Sequence, residues 1–251
     1  MSHDLRNKTA LITGASRGLG AAIALRLGEA GANVAINYFN RIKEAEKVKQ
    51  TILGNGGNAE IFRADVTDEQ QIKKLCHDVA EQFGPIDILV ANATLVHVHK
   101  PIEDLTWQDT LEHLEFFVKS PLLLAKEVVP SMKKKRYGRI INIGSEVFDR
   151  GLPEFSNYVA AKGAQVGLTR SWANELGKHQ ITVNLVAPGW IPTEMHKDDP
   201  EEMKTDYAKG VPLQHMGDPV DVAEMVAFLA SDAAKFITGQ RITVNGGNTM
   251  V

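Results

Sequence analysis

The sequence predicts an α/β fold: a doubly wound parallel sheet of about seven strands, with helices on both faces. Three observations predict it. Short apolar runs alternate along the whole chain with longer segments of helical periodicity. The runs are apolar without strict alternation, as strands covered on both faces are. A glycine-rich turn joins the first run directly to the first helical segment.

The elements follow in order. Residues 8–13 form the first strand around Ala10, Leu11 and Ile12, and the turn Gly14 to Gly20 leads into a helix over 18–30. Strand 33–37, helix 41–53 and strand 58–63 come next. Helix 68–83 is marked by Ile72, Leu75, Cys76 and Val79 at helical spacing. Gly84-Pro85 ends it before strand 86–91. A long helix is expected over 103–135, stopped by Tyr137-Gly138 ahead of strand 138–143. Helix 154–178, strand 181–186, helix 218–231 and strand 241–244 complete the alternation. The 190–217 segment is irregular and polar; it leaves the carboxyl end of a strand, where α/β sheets bind ligands, and reads as a substrate lid. No repeat, low-complexity tract or linker interrupts the chain, so residues 1–251 are expected to form one domain.

Composition narrows the function. A net charge of −3 gives no electrostatic case for nucleic acid or an anionic membrane. The basic run Lys133 to Arg136 sits at a helix C-terminus, where positive charge is locally favourable. Cys76 is the only cysteine, so no disulfide forms within the chain. No apolar stretch is long enough to span a membrane and the opening MSHDLRNK is not a secretory leader, so a cytoplasmic location is expected. His97 and His99 alternate in VHVHK, but two ligands do not make a zinc site, and no metal is expected.

The chemistry concentrates in Ser145, Tyr158 and Lys162. Tyr158 and Lys162 are four apart and share a helix face. A phenol of pKa about 10 is a poor base at neutral pH, and a neighbouring ammonium favours its ionised form. Such a pair serves as a proton donor and acceptor for a carbonyl that receives hydride. Ser145 is then available to hold the oxygen. At the other end of the chain, strand, glycine turn and helix in that order make a dinucleotide site, with the pyrophosphate at the helix N-terminus. The spacing is Gly14-x-x-x-Gly18-x-Gly20 rather than G-x-G-x-x-G. No Asp or Glu lies between Gly31 and Lys43 to bind a ribose 2′-OH, whereas Asn40-Arg41 and Arg17 suit a 2′-phosphate. NADP(H) is therefore expected in preference to NAD(H).

Six stretches taken together resemble the short-chain dehydrogenase/reductase family, near its 3-oxoacyl-[acyl carrier protein] reductase branch. They are TGASRGLG at 13–20, Asp65-Val66, ANA at 91–93, Ser145/Tyr158/Lys162, NLVAPGWIPTEM at 184–195 and ITGQRITVNGG at 237–247. The resemblance implies a Rossmann-like sheet of order 3-2-1-4-5-6-7 and a homotetramer. It implies a catalytic Ser145, Tyr158 and Lys162, with Lys162 also bonding the nicotinamide ribose. It places Gly14, Ser16, Arg17, Gly18, Leu19 and Gly20 at the pyrophosphate, Asp65 and Val66 at the adenine, and Asn92 with Ala93 along the cofactor. It sets Pro188, Gly189, Ile191 and Thr193 beside the nicotinamide.

Two departures stand out against the family. Its Asn in the long helix, which helps hold a water that links the Lys to solvent, falls at Phe117. Thr94 replaces a glycine near the cofactor. Glu146, Phe148, Trp190, His97 and His196 are candidates for the pocket wall, with Glu146 disfavouring anionic substrates there. The leading expectation is an NADP(H)-dependent oxidoreductase interconverting a carbonyl and a secondary alcohol, with 3-oxoacyl thioesters as one substrate class. A sugar, polyol or other secondary-alcohol dehydrogenase shares every motif. A catalytically silent nucleotide-binding protein is the alternative that Phe117 favours.

Overall fold

A computed structural model describes residues 3–250. Its seven strands are β1 (Thr9–Ile12), β2 (Asn33–Tyr38), β3 (Asn58–Arg63), β4 (Ile88–Ala91), β5 (Gly138–Ile143), β6 (Ile181–Pro188) and β7 (Arg241–Val244). They form one sheet, parallel throughout, in the order β3-β2-β1-β4-β5-β6-β7. The helices are α1 (Gly18–Glu29), α2 (Ile42–Gly54), α3 (Glu69–Phe83), α4 (Trp107–Leu114), α5 (Ser120–Lys135), the short α6 (Val147–Arg150), α7 (Ser156–Leu176), α8 (Glu201–Gly210) and α9 (Pro219–Ala230).

Strand residues alternate between two cores, because successive side chains leave a strand on opposite faces. Ala10, Ile12, Val34 and Ile36 meet Ile23 and Leu27 of α1, Val48 of α2 and Val226 of α9. Leu11, Ala35, Leu89 and Ile140 meet Ile72 of α3, Leu124 of α5 and Leu176 of α7. Each fully buried Leu or Ile contributes about 1.5–3 kcal/mol relative to exposure. Strand order reverses between β1 and β4, which opens a crevice beyond their carboxyl ends. The loops after β1, β4, β5 and β6 all enter that crevice.

Two expectations are corrected. The helix expected over 103–135 is broken into a 3₁₀ turn (Ile102–Asp104), α4, a π-helical turn (Glu115–Lys119) and α5. Pro121 supplies the physical reason for the break after α4. It has no N–H for the Phe117 carbonyl four residues back, and its ring crowds that carbonyl. The chain slips to i→i+5 bonding, with Ser120 N–H donating to the Glu115 carbonyl. The 190–217 segment is also less irregular than expected. It contains a 3₁₀ turn (Glu194–His196) and α8. None of α8's residues is buried, so it carries no apolar stripe to mark it.

Candidate active site

The loop after β1 builds the phosphate end. Gly14 and Gly18 sit at φ of +62° and +56°, where side chains are strained. A Cβ on Gly20 would lie 2.4 Å from the Gly14 carbonyl oxygen and 2.5 Å from Asn92 Nδ2. The Arg17 side chain does not cap α1, and no acid occupies its first turn, so the helix N-terminus is left to an anion. This cradle fits a dinucleotide pyrophosphate. Ser16 and Leu19 lie half-buried within it.

Asn92 works on the protein rather than pointing freely along a ligand. Its amide donates to the Thr13 carbonyl at 2.8 Å and the Gly14 carbonyl at 3.3 Å. Thr13 Oγ1 accepts from the Asn92 and Ala93 N–H groups, both at 3.0 Å. The turn is thus pinned to β4. From the other side, Asn37 Oδ1 accepts from Gly14 N–H, a contact that only the fold brings about.

Toward the base end, Asp65 Oδ1 accepts from Thr67 N–H and Oγ1, and Val66 is buried. Asn40 and Arg41 are exposed, with Arg41 Nη1 3.4 Å from Glu44. Arg63, not anticipated from sequence, pairs in register with Tyr38 and donates to the Phe39 carbonyl at 3.2 Å. Its signal was present, a cation two residues before Asp65.

The segment after β6 covers this groove. A Cβ on Gly18 would lie 3.5 Å from Thr193, so the lid begins over the glycine turn. Ile191 is buried, and Thr193 accepts from Met195 N–H to start the lid's 3₁₀ turn. Pro188 ends β6. Gly189 has no room for a side chain, since its Cβ would stand 2.6 Å from the Tyr207 hydroxyl.

Ser145, Tyr158 and Lys162 come together above β5. The Tyr158 phenol faces the Ser145 side chain, which favours its ionised form. Ser145 Oγ also accepts from Val147 N–H at 3.1 Å. Lys162, buried, donates from Nζ to the Ile143 carbonyl at 2.8 Å and to Gln165 Oε1 at 3.2 Å. Gln165 was legible in principle, one helical turn beyond the lysine. Nζ lies 5.5 Å from the centre of the Tyr158 ring.

The electrostatics correct one expectation: the net shift of the Tyr158 phenol is upward, not downward. Burial pushes Tyr158 up to about 12, opposed by Ser145. The same burial brings the Lys162 ammonium down to about 7. Phe117 bears directly on this balance. It is fully buried on the π-helical turn, with its ring centre 3.7 Å from Nζ and 5.4 Å from the Tyr158 ring. A π face attracts a cation, so Phe117 favours the charged lysine.

The pocket-wall candidates separate. His97 is brought beside Tyr158, with ring centres 5.6 Å apart, and stacks on Phe155 at 4.3 Å. Its Nδ1 lies 3.2 Å from Nε2 of His113, a buried residue of α4 that sequence reasoning missed. Trp190 packs edge-on to Tyr207 and His196. It borders a cavity of about 710 Å³ between the lid and α9 that Ser145, Tyr158 and Lys162 do not line. Glu146 and Phe148 are corrections. Glu146 is buried with both oxygens taken by protein donors, and Phe148 packs on Val166, Leu185 and Ala187. Thr94 is exposed. Among the described residues no group of three or more His, Cys, Asp or Glu is placed to hold a metal. No described helix is long and apolar enough to cross a membrane.

Known proteins are similar to this chain in sequence and fold. Residues 14–249 match the family described as Enoyl-(Acyl carrier protein) reductase. The 3-oxoacyl-[acyl-carrier-protein] reductase of Staphylococcus epidermidis is 41% identical over 97% of this chain and 100% of its own. That of Haemophilus influenzae is 41% identical over 97% and 98%. A variant of a Serratia marcescens short-chain dehydrogenase/reductase superposes with a TM-score of 0.92 at 34% identity, covering 99% of this chain and 100% of the other. A dehydrogenase/reductase of Sinorhizobium meliloti gives 0.91 at 36%, covering 99% and 98%.

Proposed function

The chain belongs to the short-chain dehydrogenase/reductase family, and on that footing we propose that Tyr158 is its proton donor, Lys162 its charge partner and Ser145 the hydroxyl that holds the substrate oxygen. The protein is an oxidoreductase that interconverts a carbonyl and a secondary alcohol. The observation that carries the proposed roles is the convergence of Ser145, Tyr158 and Lys162 at the carboxyl end of β5, with Lys162 Nζ 5.5 Å from the Tyr158 ring centre.

In the reducing direction the two hydroxyls bind the carbonyl oxygen and fix its position. The bound nicotinamide supplies the hydride. Tyr158 gives its O–H proton to the oxygen, and the phenolate left behind is stabilised by the Lys162 ammonium. The Ile143 carbonyl, Gln165 and the Phe117 ring face that ammonium and oppose the discharge that burial favours. Phe117 thus favours the charged lysine, which supports the catalytic reading over a silent nucleotide binder.

The cofactor we assign is NADP(H). Arg41 and Arg63 flank the turn after β2, and no carboxylate from residue 32 to residue 42 would bind a free ribose 2′-OH. Gly14 to Gly20, Asp65, Val66, Asn92, Ala93, Pro188, Gly189, Ile191 and Thr193 make up the rest of its proposed groove. The substrate class is a 3-oxoacyl thioester, in keeping with the names of the Staphylococcus and Haemophilus relatives. A cytoplasmic homotetramer is the proposed form.

Purified protein should consume NADPH with acetoacetyl-CoA. Tyr158→Phe should lose about 10²–10⁴-fold in kcat, the contribution of a positioned acid, with NADPH affinity within twofold of wild type. Equal turnover in the variant would overturn the assignment.

A further inference from the structure

Glu146 follows Ser145 directly and is 2% exposed. Burying a carboxylate is costly unless donors satisfy its oxygens. Here they come from three separate segments. Oε1 accepts from the Tyr207 hydroxyl at 2.7 Å and from Asn248 Nδ2 at 2.9 Å, with Arg150 Nη1 at 3.5 Å. Oε2 accepts from Asn245 Nδ2 at 3.1 Å. Tyr207 belongs to the lid helix α8, Arg150 to α6, and the two asparagines to the segment after β7.

Tyr207 does more than satisfy the carboxylate. Its oxygen accepts from Trp190 N–H at 2.9 Å, where the chain leaves β6 for the lid. Since α8 buries none of its residues, this phenol is its polar anchor into the body. One hydroxyl therefore ties together the start of the lid, the lid helix and the residue next to Ser145.

We propose that Glu146 is a positioning residue that couples the seating of the lid to the orientation of Ser145. With α8 down, Tyr207 donates to Glu146, and Glu146 holds the turn in which Val147 N–H fixes Ser145 Oγ. With α8 lifted, Glu146 loses its shortest hydrogen bond, Trp190 N–H loses its acceptor, and the turn carrying Ser145 loosens. The hydroxyl pair is then complete only over an enclosed substrate. The coupling rests on Ser145 being the oxygen-holding hydroxyl.

Three variants test it. Tyr207→Phe removes the hydroxyl and keeps the ring against Trp190. Glu146→Gln turns one oxygen into an amide that faces the Asn245 amide, donor against donor. Glu146→Gln with Asn245→Asp restores an acceptor there. Tyr207→Phe should lower kcat for acetoacetyl-CoA about tenfold, the weight of a hydrogen bond to a charged group, while NADPH affinity stays within twofold. Combining Tyr207→Phe with Glu146→Gln should cost no more than the worse single change, since the two act as one unit. The Asn245→Asp pairing should recover most of the Glu146→Gln loss.

Hydrogen exchange needs no substrate, and so separates this coupling from the assignment of the reaction. In Tyr207→Phe the amides of Trp190 and Val147 should both exchange at least tenfold faster. Faster exchange at Trp190 with Val147 unchanged would overturn the coupling, whatever the substrate proves to be. Multiplicative losses in the combined variant would do the same.

Discussion

At the residue scale, the site depends on how one buried amine keeps its proton. Desolvation brings Lys162 to about 7, whereas an unfolded lysine has the ordinary value of 10.5. Between those limits the unfolded chain binds more protons than the folded one, so this residue makes stability rise with pH from about 7. Near pH 10 the rise is offset, because folded Tyr158 resists ionising until about 12. Urea midpoints for wild type and Lys162→Met across this range should show a rise that the variant lacks; parallel curves would mean that the lysine is not so desolvated. Phe117 acts on the same proton. Phe117→Leu keeps the site apolar but removes a cation–π contact worth about 0.5–2 kcal/mol. The falling limb of kcat/KM against pH, read in the reducing direction at saturating NADPH, should then move to lower pH. An unmoved limb would make Phe117 mere packing. Sequence spacing pointed to Ser145, Tyr158 and Lys162 because two of them share one helix face. It could not give the sign of Phe117's effect, which depends on a ring lying flat beneath Nζ.

At the scale of elements, the strands were legible and the irregular pieces were not. Most strands are short apolar runs, and the seven observed strands fall on the seven expected segments within a residue or two. The π-helical turn left no such trace, because apolar spacing does not distinguish i→i+4 from i→i+5 bonding. The visible clue was Pro121, whose effect is understood only from the carbonyl it fails to reach. Likewise α8 has no apolar stripe, because it is anchored by a phenol instead of a hydrophobic face. The glycine turn sits between these cases. Its three glycines were plain, yet only the fold shows how little room Gly20 has. Gly20→Ala would drive a methyl group to 2.4 Å from the Gly14 carbonyl and 2.5 Å from the Asn92 amide. The turn must shift, at about 1–3 kcal/mol for such overpacking. NADPH affinity should fall at least tenfold, as fluorescence titration would read, along with a lower melting temperature. Retained affinity would show that the turn is not the phosphate cradle.

At the scale of the whole molecule, the sheet's two edges differ in kind. Edge strands invite pairing, and proteins that stay single blunt them with charge. β3 does so with Glu60 and Arg63. On β7 the one charge, Arg241, turns inward to pair with Asp149 and lies over the Phe148 ring. Around β7 in the chain, Phe236 is fully exposed and Met250 is 83% exposed. Leu213 and Val220 are exposed as well. An uncharged edge beside that much apolar surface calls for a second copy of the chain, in keeping with the proposed homotetramer. Light scattering at micromolar concentration should give four chains per particle. Phe236→Glu sets a charge in the proposed contact without disturbing a packed core, since its side chain touches nothing it would unseat. The variant should sediment as a smaller particle with its melting temperature lowered, and with NADPH still bound, because Phe236 is fully exposed and the glycine turn follows β1, four strands from β7 in the sheet. A wild-type protein that stays a single chain at high concentration would mean that β7 is protected by some other means. A Phe236→Glu variant that remains four chains would move the contact to another face.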